Sequence, residues 1–465
     1  MAKLYIFGIG GTGSRVLRSF TMMMAAGIKL DAHEIVPIIV DPDSANADLT
    51  RTVKLMNDYQ TIRDSLTFAE GNANEFFKTS IRKVLPNFTL RINDTDDKTF
   101  RQFIGLSSMS KENQAMARML FSDKNLRSNM NVGFKGNPNI GSVVLNQIVN
   151  SDDFADFANS FEQGDKIFIV SSIFGGTGAS GFPLLLKTLR TGDSFQNNDL
   201  INKAEIGAIT VLPYFSLKQD SESEIDSSTF ISKTKSALAY YEANISKNNQ
   251  INALYYLADT ITKTYENHEG GESQRNDAHL IEFLAGTAII DFCNKSHPTT
   301  VNKELGLKDN CDTVSFDTFF NEITGYIRKP LTQFSLMSNC FTEKWDYISS
   351  KQFNANNRGI GTDVYDSAFG KNIKKMFRDY EEWLAEMKGN KRSLDLFNMD
   401  CGGKPFDLIT GVKPKKVMST LSDYNLFFDR INGAVKDCGS SSSNDKLLEA
   451  FYRGTEKLTK EKFNF

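Results

Sequence analysis

The chain has 465 residues, 24% charged and 40% hydrophobic, with 54 Lys and Arg against 57 Asp and Glu for a net charge of −3. That balance is an ordinary globular one, gives no electrostatic reason to expect nucleic acid as a partner, and leaves room for two or three domains. The five cysteines are scattered without a CxxC pair, which indicates neither a disulfide framework nor a zinc site and fits a reducing cytosol. No apolar run reaches the roughly 18 to 20 residues of a membrane span, and the start lacks the apolar core of a signal peptide. The expected setting is cytoplasmic, with no direct membrane insertion.

Residues 3–7 alternate and run into Gly8-Ile9-Gly10-Gly11-Thr12-Gly13-Ser14-Arg15, after which Val16, Leu17 and Phe20 continue at helical spacing. This is a strand, a glycine turn and a helix, and it matches GxGxxG with the flanks that motif needs. A β-branched strand at 34–40 ends in Asp41-Pro42-Asp43-Ser44. Carboxylates there stand at the rim of the same crevice, able to take a ribose hydroxyl or, through water, Mg²⁺; the plainer reading makes Ser44 a helix cap. Residues 50–130, with helical periodicity in LMNDYQTIRDSL and ENQAMARMLF, read as an elaboration of this first domain.

A third turn, Gly136-Asn137-Pro138-Asn139-Ile140-Gly141, leads into the helical run SVVLNQIV, with Pro138 suited to a first helical turn. Next comes the strongest stretch, in which Ile167, Ile169 and Val170 precede Gly175, Gly176, Thr177, Gly178 and Ala179, and Leu184, Leu185, Leu186 and Leu189 follow. A buried strand, a glycine turn and a helix present bare N–H groups and the positive end of a helix dipole to an anion. Glycine lets a phosphate approach closely; a tight turn with no ligand is the bland alternative.

A strand at 204–212 ends in Pro213-Tyr214-Phe215, followed by a polar, mobile segment at 216–230, a helix at 233–243, a strand at 253–257 and a loop at 266–275. Asn276-Asp277 opens a helix whose Leu280, Ile281, Leu284, Ala285, Ala288, Ile289 and Phe292 form a broad apolar stripe. His279 reads as a packing or surface residue. Beyond it a second α/β domain is expected, with helices at 379–387 and 424–435, then a serine-rich hinge at 439–443 and a tail carrying Leu447, Leu448, Phe451 and Tyr452. Such a tail can dock on a protein partner or fray.

The ordered set GIGGTGSR, VDPDS, GNPNIG and FGGTGASG resembles the tubulin/FtsZ superfamily of GTP-binding filament proteins, especially its divergent bacterial members. Gly8, Gly10, Gly11 and Gly13 fall on the family's first loop, GxGGxGxN. Gly136, Asn137, Pro138 and Gly141 fall on the NPE-bearing loop, and Gly175, Gly176, Thr177 and Gly178 on the GGGTGSG signature. Arg15 stands where the family has asparagine, Asn139 replaces the glutamate of NPE, and Phe174 and Ser180 alter the signature's edges. The resemblance covers roughly the first 220 residues well.

It implies a tubulin/FtsZ-like, Rossmann-like parallel-sheet α/β domain over 1–275, a central helix and its loop over 276–305, an activation-type domain over 306–438 and a hinge and tail over 439–465. It further implies GTP or GDP with Mg²⁺ as cofactors and a head-to-tail homopolymer. Glycine-turn residues, Thr12, Ala179, Asp41 and Asp43 would hold the nucleotide, with no metal site built of protein ligands alone. Asn276 or Asp277 would read guanine, whose adjacent N1–H and N2–H donors suit a carboxylate; an N-cap role is the alternative. The resemblance assigns Asp309 and Asp312 to the loop that aligns water on a neighbour's nucleotide, the alternative being solvated turn acids.

Rival readings stay open. GIGGTGS followed by VDPDSANADLTR also resembles the ATP-binding start of ThiF-like adenylating enzymes, although this chain lacks the CxxC pair usual there. A non-hydrolysing GTP-binding scaffold and an NAD-binding Rossmann domain are further alternatives.

Overall fold

Seven strands pair in parallel in the order β3-β2-β1-β4-β5-β7-β9: β1 Lys3–Ile9, β2 Glu34–Val40, β3 Ser80–Ile81, β4 Lys166–Ser172, β5 Glu205–Val211, β7 Ala253–Leu257 and β9 Val301–Glu304. The computed structural model describes residues 2–93, 95, 97–130, 133–134, 136–217, 230–260, 263–265, 271–273, 275–299, 301–304, 306–308, 310–355, 360–416, 421–440 and 442–465. Within the expected polar loops, residues 218–229, 266–270 and 274 lie outside that set. Beside the main sheet, β6 Phe215–Leu217 pairs with β8 Lys263–Tyr265, and β10 Thr313–Val314 with β11 Ser393–Leu394, both in parallel.

The main sheet is covered on both faces, so its strands are nearly continuous apolar runs: every residue of β1 is buried, and in β2, β4 and β5 only the first is not. The α/β, Rossmann-like parallel sheet expected from the sequence is therefore present. Strand order reverses between β1 and β4, and both are followed at once by the glycine-started helices α1 Gly10–Ala25 and α8 Gly176–Thr191. Ligands of open parallel sheets bind at the carboxyl ends of the strands beside such a reversal.

Between β2 and α8 the chain makes α2 Ala47–Asp64, the short helices α3 Phe100–Phe103, α4 Lys111–Leu120 and α5 Asp123–Arg127, then α6 Pro138–Leu145 and α7 Asp152–Ser160. After α8 come α9 Asn198–Lys203, α10 Phe230–Tyr241 and α11 Leu280–Cys293. All 14 residues of α11 are buried, Glu282 and Asp291 among them, so the stripe expected on one face is a helix enclosed all round. The expected start at Asn276-Asp277 is corrected to Leu280: His279 is the N-cap, its Nδ1 accepting from Ile281 N–H at 3.1 Å, while Glu282 accepts His279 N–H at 3.0 Å.

After α11 the chain re-enters the main sheet as β9, with Ala253 opposite Val301 and Tyr256 opposite Glu304. The rest is mainly helical: α12 Asn321–Glu343, α13 Trp345–Ile348, α14 Lys351–Ala355, α15 Asp363–Asp366, α16 Ala368–Lys388, α17 Asp423–Val435 and α18 Ser443–Leu458. Trp383 of α16 is fully buried and donates from its indole nitrogen to Ser19 Oγ of α1 at 3.1 Å, tying this half to the first.

The expected flexible hinge and tail are corrected too. Leu447, Leu448, Phe451 and Leu458 of α18 are fully buried. Asp445 accepts from the N–H and hydroxyl of Thr67 at 3.1 and 2.9 Å, Tyr452 packs on Phe76 at 5.3 Å, and the hinge residue Ser440 donates to Glu449 at 2.7 Å. The apolar face once open to a partner is spent inside the molecule. No helix among the described residues is long and apolar enough to cross a membrane.

Candidate functional site

Three helix N-termini meet at the strand reversal, and none is capped. The N-cap residues of α1, α6 and α8 are Ile9, Asn137 and Gly175; none makes a side-chain capping bond, and none of the three helices has an acid in its first turn. Other helices are capped or carry an acid in the first turn: Asn46 accepts Asp48 N–H at 2.8 Å, Ser151 accepts Phe154 N–H at 3.1 Å and Ser442 accepts Asp445 N–H at 3.1 Å, while α9, α12, α13, α15 and α17, without a side-chain cap, each have an acid in the first turn. First-turn N–H groups with neither a cap nor a neighbouring carboxylate leave the helix dipoles unopposed and suited to an anion.

The glycines allow the turns to touch. A Cβ built on Gly176 would lie 3.1 Å from the backbone nitrogens of both Gly136 and Asn137, and one on Gly10 would lie 3.4 Å from Thr177 Cβ. Gly10 and Gly136 adopt φ of +71° and +72°, the region glycine enters without strain. Gly13 packs so closely on the end of β1 that a Cβ would stand 2.3 Å from the Gly8 carbonyl carbon, whereas one on Gly11 would meet only an Arg15 nitrogen at 3.5 Å. The sequence did not single out Lys233, whose ammonium donates to Gly136 O at 2.8 Å and brings a positive charge to this corner. A lysine inside a helix distant in sequence carries no local signal of that role. Phe174, just before the signature glycines, packs with Phe230 and Phe215 at 5.1 and 5.5 Å.

Asp41 and Asp43, at the end of β2, are both buried. Asp43 Oδ2 accepts Gly271 N–H at 2.7 Å, while its Oδ1 is buried with no hydrogen-bond partner among the described residues. Burial, joined by the charges of Asp43 and Asp48, pushes the Asp41 carboxyl up to about 7, against the pull of the Asp43 N–H at 3.1 Å. Ser44 is exposed, and the cap of α2 is Asn46, correcting the role expected of Ser44.

Behind the first turn lies a buried charge network. Arg15 Nε donates to Glu282 Oε1 at 2.5 Å, Nη1 to Asp48 Oδ2 at 3.0 Å and Nη2 to the Tyr214 hydroxyl at 2.9 Å; that hydroxyl donates to Glu282 at 3.1 Å. Burial lifts the Glu282 carboxyl even with the guanidinium beside it. Against the cost of its own burial, Arg15 is held protonated by Tyr214, Glu282 and Asp48. The cation holds the network, because two carboxylates share one guanidinium that scarcely loses its proton. Asparagine would lack this charge, so the departure at Arg15 has a structural use: it fixes α1, α2 and the first turn of α11 together.

Of the expected base readers, Asn276 gives its side-chain amide to Asp48 Oδ2 at 2.8 Å and its backbone N–H to Asp48 Oδ1 at 3.0 Å. Asp277 is exposed. Both precede the helix they were expected to open, on a segment held beside the crevice by the Gly271–Asp43 and Asn276–Asp48 bonds.

Asp309 lies outside the described residues. Asp312 is exposed, with its carbonyl accepting Ser393 N–H at 2.8 Å. Because β9 runs parallel to β7, the chain after Glu304 emerges at the carboxyl edge of the sheet. There Gly306, Leu307 and Lys308 line one cleft with Ala258, Asp259 and the α11 residue Leu280. A group offered to a neighbour in a head-to-tail contact belongs on the opposite face. The loop that leads to Asp312 thus leaves the sheet on the edge that carries the chain's own glycine turns.

No protein-family model matches the chain, and no curated protein matches it. Among solved structures it is similar to CetZ2 from Haloferax volcanii, a GTPgS-bound protofilament, at 14% identity and a TM-score of 0.29, over 56% of this chain and 49% of that one. It is also similar to CetZ from Methanosaeta thermophila strain DSM 6194, at 14% identity and a TM-score of 0.26, over 56% of this chain and 46% of that one. The chain thus spans about half the length of these two structures.

Proposed function

We propose that this chain binds a guanine nucleotide with its phosphates on the N-termini of α1, α6 and α8, and that it self-associates head to tail into a filament. The observation that carries the binding is the meeting of three uncapped, acid-free helix N-termini at the sheet's strand reversal. The residues fit such a ligand: the N–H groups and Lys233 suit phosphate oxygens, and the unpartnered Asp43 Oδ1 suits a ribose hydroxyl or the hydration shell of Mg²⁺. Bound Mg²⁺ would neutralise phosphate charge. In this reading Asp277, exposed on the segment beside the crevice, accepts from guanine. Assembly rests on the ordered motif set alone, and a contact that does not close on itself propagates.

The course of the loop that leads to Asp312 favours a second reading, in which the nucleotide is held without efficient hydrolysis and shapes an interaction surface. Sedimentation of the purified protein with GTP, GDP, ATP or no nucleotide, with phosphate measured in the same tubes, separates the readings. Pelleting that needs GTP, with phosphate release per subunit rising with concentration, is the result expected of a hydrolysing filament. GTP binding with neither pelleting nor phosphate release selects the scaffold, and a preference for ATP overturns both.

A further inference from the structure

The helices α3, α4 and α5 form a small bundle between β3 and α6 in the chain. Each is too short to persist alone, and each start is fastened: Thr99 and Gln102 make a capping box, Ser110 accepts Asn113 N–H at 3.2 Å and Ser122 accepts Asn125 N–H at 3.2 Å. Phe100 and Phe121 pack at 4.8 Å, and Phe100 N–H donates to Ser128 O at 2.9 Å, closing the segment on itself.

On this bundle opens a cavity of about 510 Å³, inside the roughly 300–1,000 Å³ range of small-molecule sites. Arg101 of α3, Arg118 of α4 and Arg127 of α5 line it together, with Gln102, Gln114 and, as the single acid among the described residues, Asp123. Asp123 stands 3.9 Å from Arg118, while Arg101 and Arg127 have no hydrogen-bond or ion-pair partner among the described residues. Each arginine lies in the last turn of its helix, where a cation favours the dipole. That accounts for each singly but not for three from three helices turned to one cavity in a chain of net charge −3.

We propose that this cavity binds a small polyanion bearing clustered phosphates, at a site separate from the glycine turns. Guanidinium forks pair bidentately with phosphate oxygens, and three of them against one carboxylate leave a net positive charge for the ligand to neutralise. A free oligophosphate and a phosphorylated lipid headgroup share this chemistry.

The test titrates the full chain with inorganic tripolyphosphate by calorimetry, and separately sediments it with phosphatidylcholine vesicles with and without a polyphosphoinositide. Wild type is compared with R101Q/R127Q and D123N. All three positions are exposed, so the variants should keep the wild-type melting curve. In the double variant one saturable binding event weakens by about tenfold per arginine removed, and D123N tightens it several-fold. Loss of vesicle binding in the double variant assigns the phosphates to a lipid; loss of tripolyphosphate binding alone assigns a free ligand. Either result supports the site. Equal behaviour of wild type and R101Q/R127Q toward both probes overturns it, whatever the outcome at the glycine turns.

Discussion

Asp41→Asn should stabilise the protein increasingly as pH rises. Burial first, then Asp43 and Asp48, raise this carboxyl from 3.8 to about 7. An acid whose folded value lies above its unfolded one stabilises the fold through its bound proton; that contribution is complete below about 3.8, is lost as pH climbs to about 7 and stays lost above. The difference of about 3 pH units, at about 1.4 kcal/mol each, makes the ionised carboxylate an order-of-4-kcal/mol liability. Asparagine has nothing to ionise, so the stability of D41N minus that of wild type should grow by about 3 kcal/mol between about pH 5 and about pH 8 and flatten beyond. Subtraction cancels the titrating groups that do not interact with Asp41. Urea unfolding of both proteins, followed by far-UV circular dichroism without nucleotide or Mg²⁺, reads this directly. A difference that stays flat across the range would refute the claim that Asp41 is held protonated by its surroundings.

Arg15→Met removes the cation between Asp48 and Glu282 and should cost about 3–5 kcal/mol, read as a lower urea midpoint; a loss below about 1 kcal/mol would deny the network any part in holding α1 to α11. Gly13→Ala sets a Cβ 2.3 Å from the Gly8 carbonyl carbon, whereas the Cβ of Gly11→Ala stands 3.5 Å from an arginine nitrogen. The first should lose about 1–3 kcal/mol or fail to fold, while the second melts like wild type. Asp445→Ala strands the N–H groups of Thr67 and Phe68 and should cost about 1–3 kcal/mol, with faster proteolysis near those residues.

Local chemistry explains what the sequence disclosed. β2 and β7 fall on the expected 34–40 and 253–257 because buried parallel strands are short β-branched or aromatic runs with sharp polar ends. The glycine turns were legible for a similar reason: each constraint on them, close packing or positive φ, acts on the glycine itself. Long-range pairing hid the rest. β9 reads VNKE and shows no apolar run; it is a strand because β7 offers it an edge. The start of α11 slipped by four positions, from Asn276 to Leu280, because Asn276 answers to Asp48 and a histidine, seldom expected as a cap, takes that place. The partners of Arg15 lie 33, 199 and 267 residues away. Ser440 and Ser442 sit in a stretch with the composition of a linker, yet one binds Glu449 and the other caps α18.

The docking of α18 sets a timetable for synthesis. Thr67 meets Asp445 across 378 residues, and Phe76 is flanked on one side by Tyr452 of the same helix. At about 5–20 residues per second, roughly 20 to 75 s pass between their emergence from a ribosome. Through that interval the apolar ground beneath α18 lacks its native cover, so the growing chain is open to mispairing there. Slowing translation late in the message should therefore lower the yield of folded protein more than slowing it early.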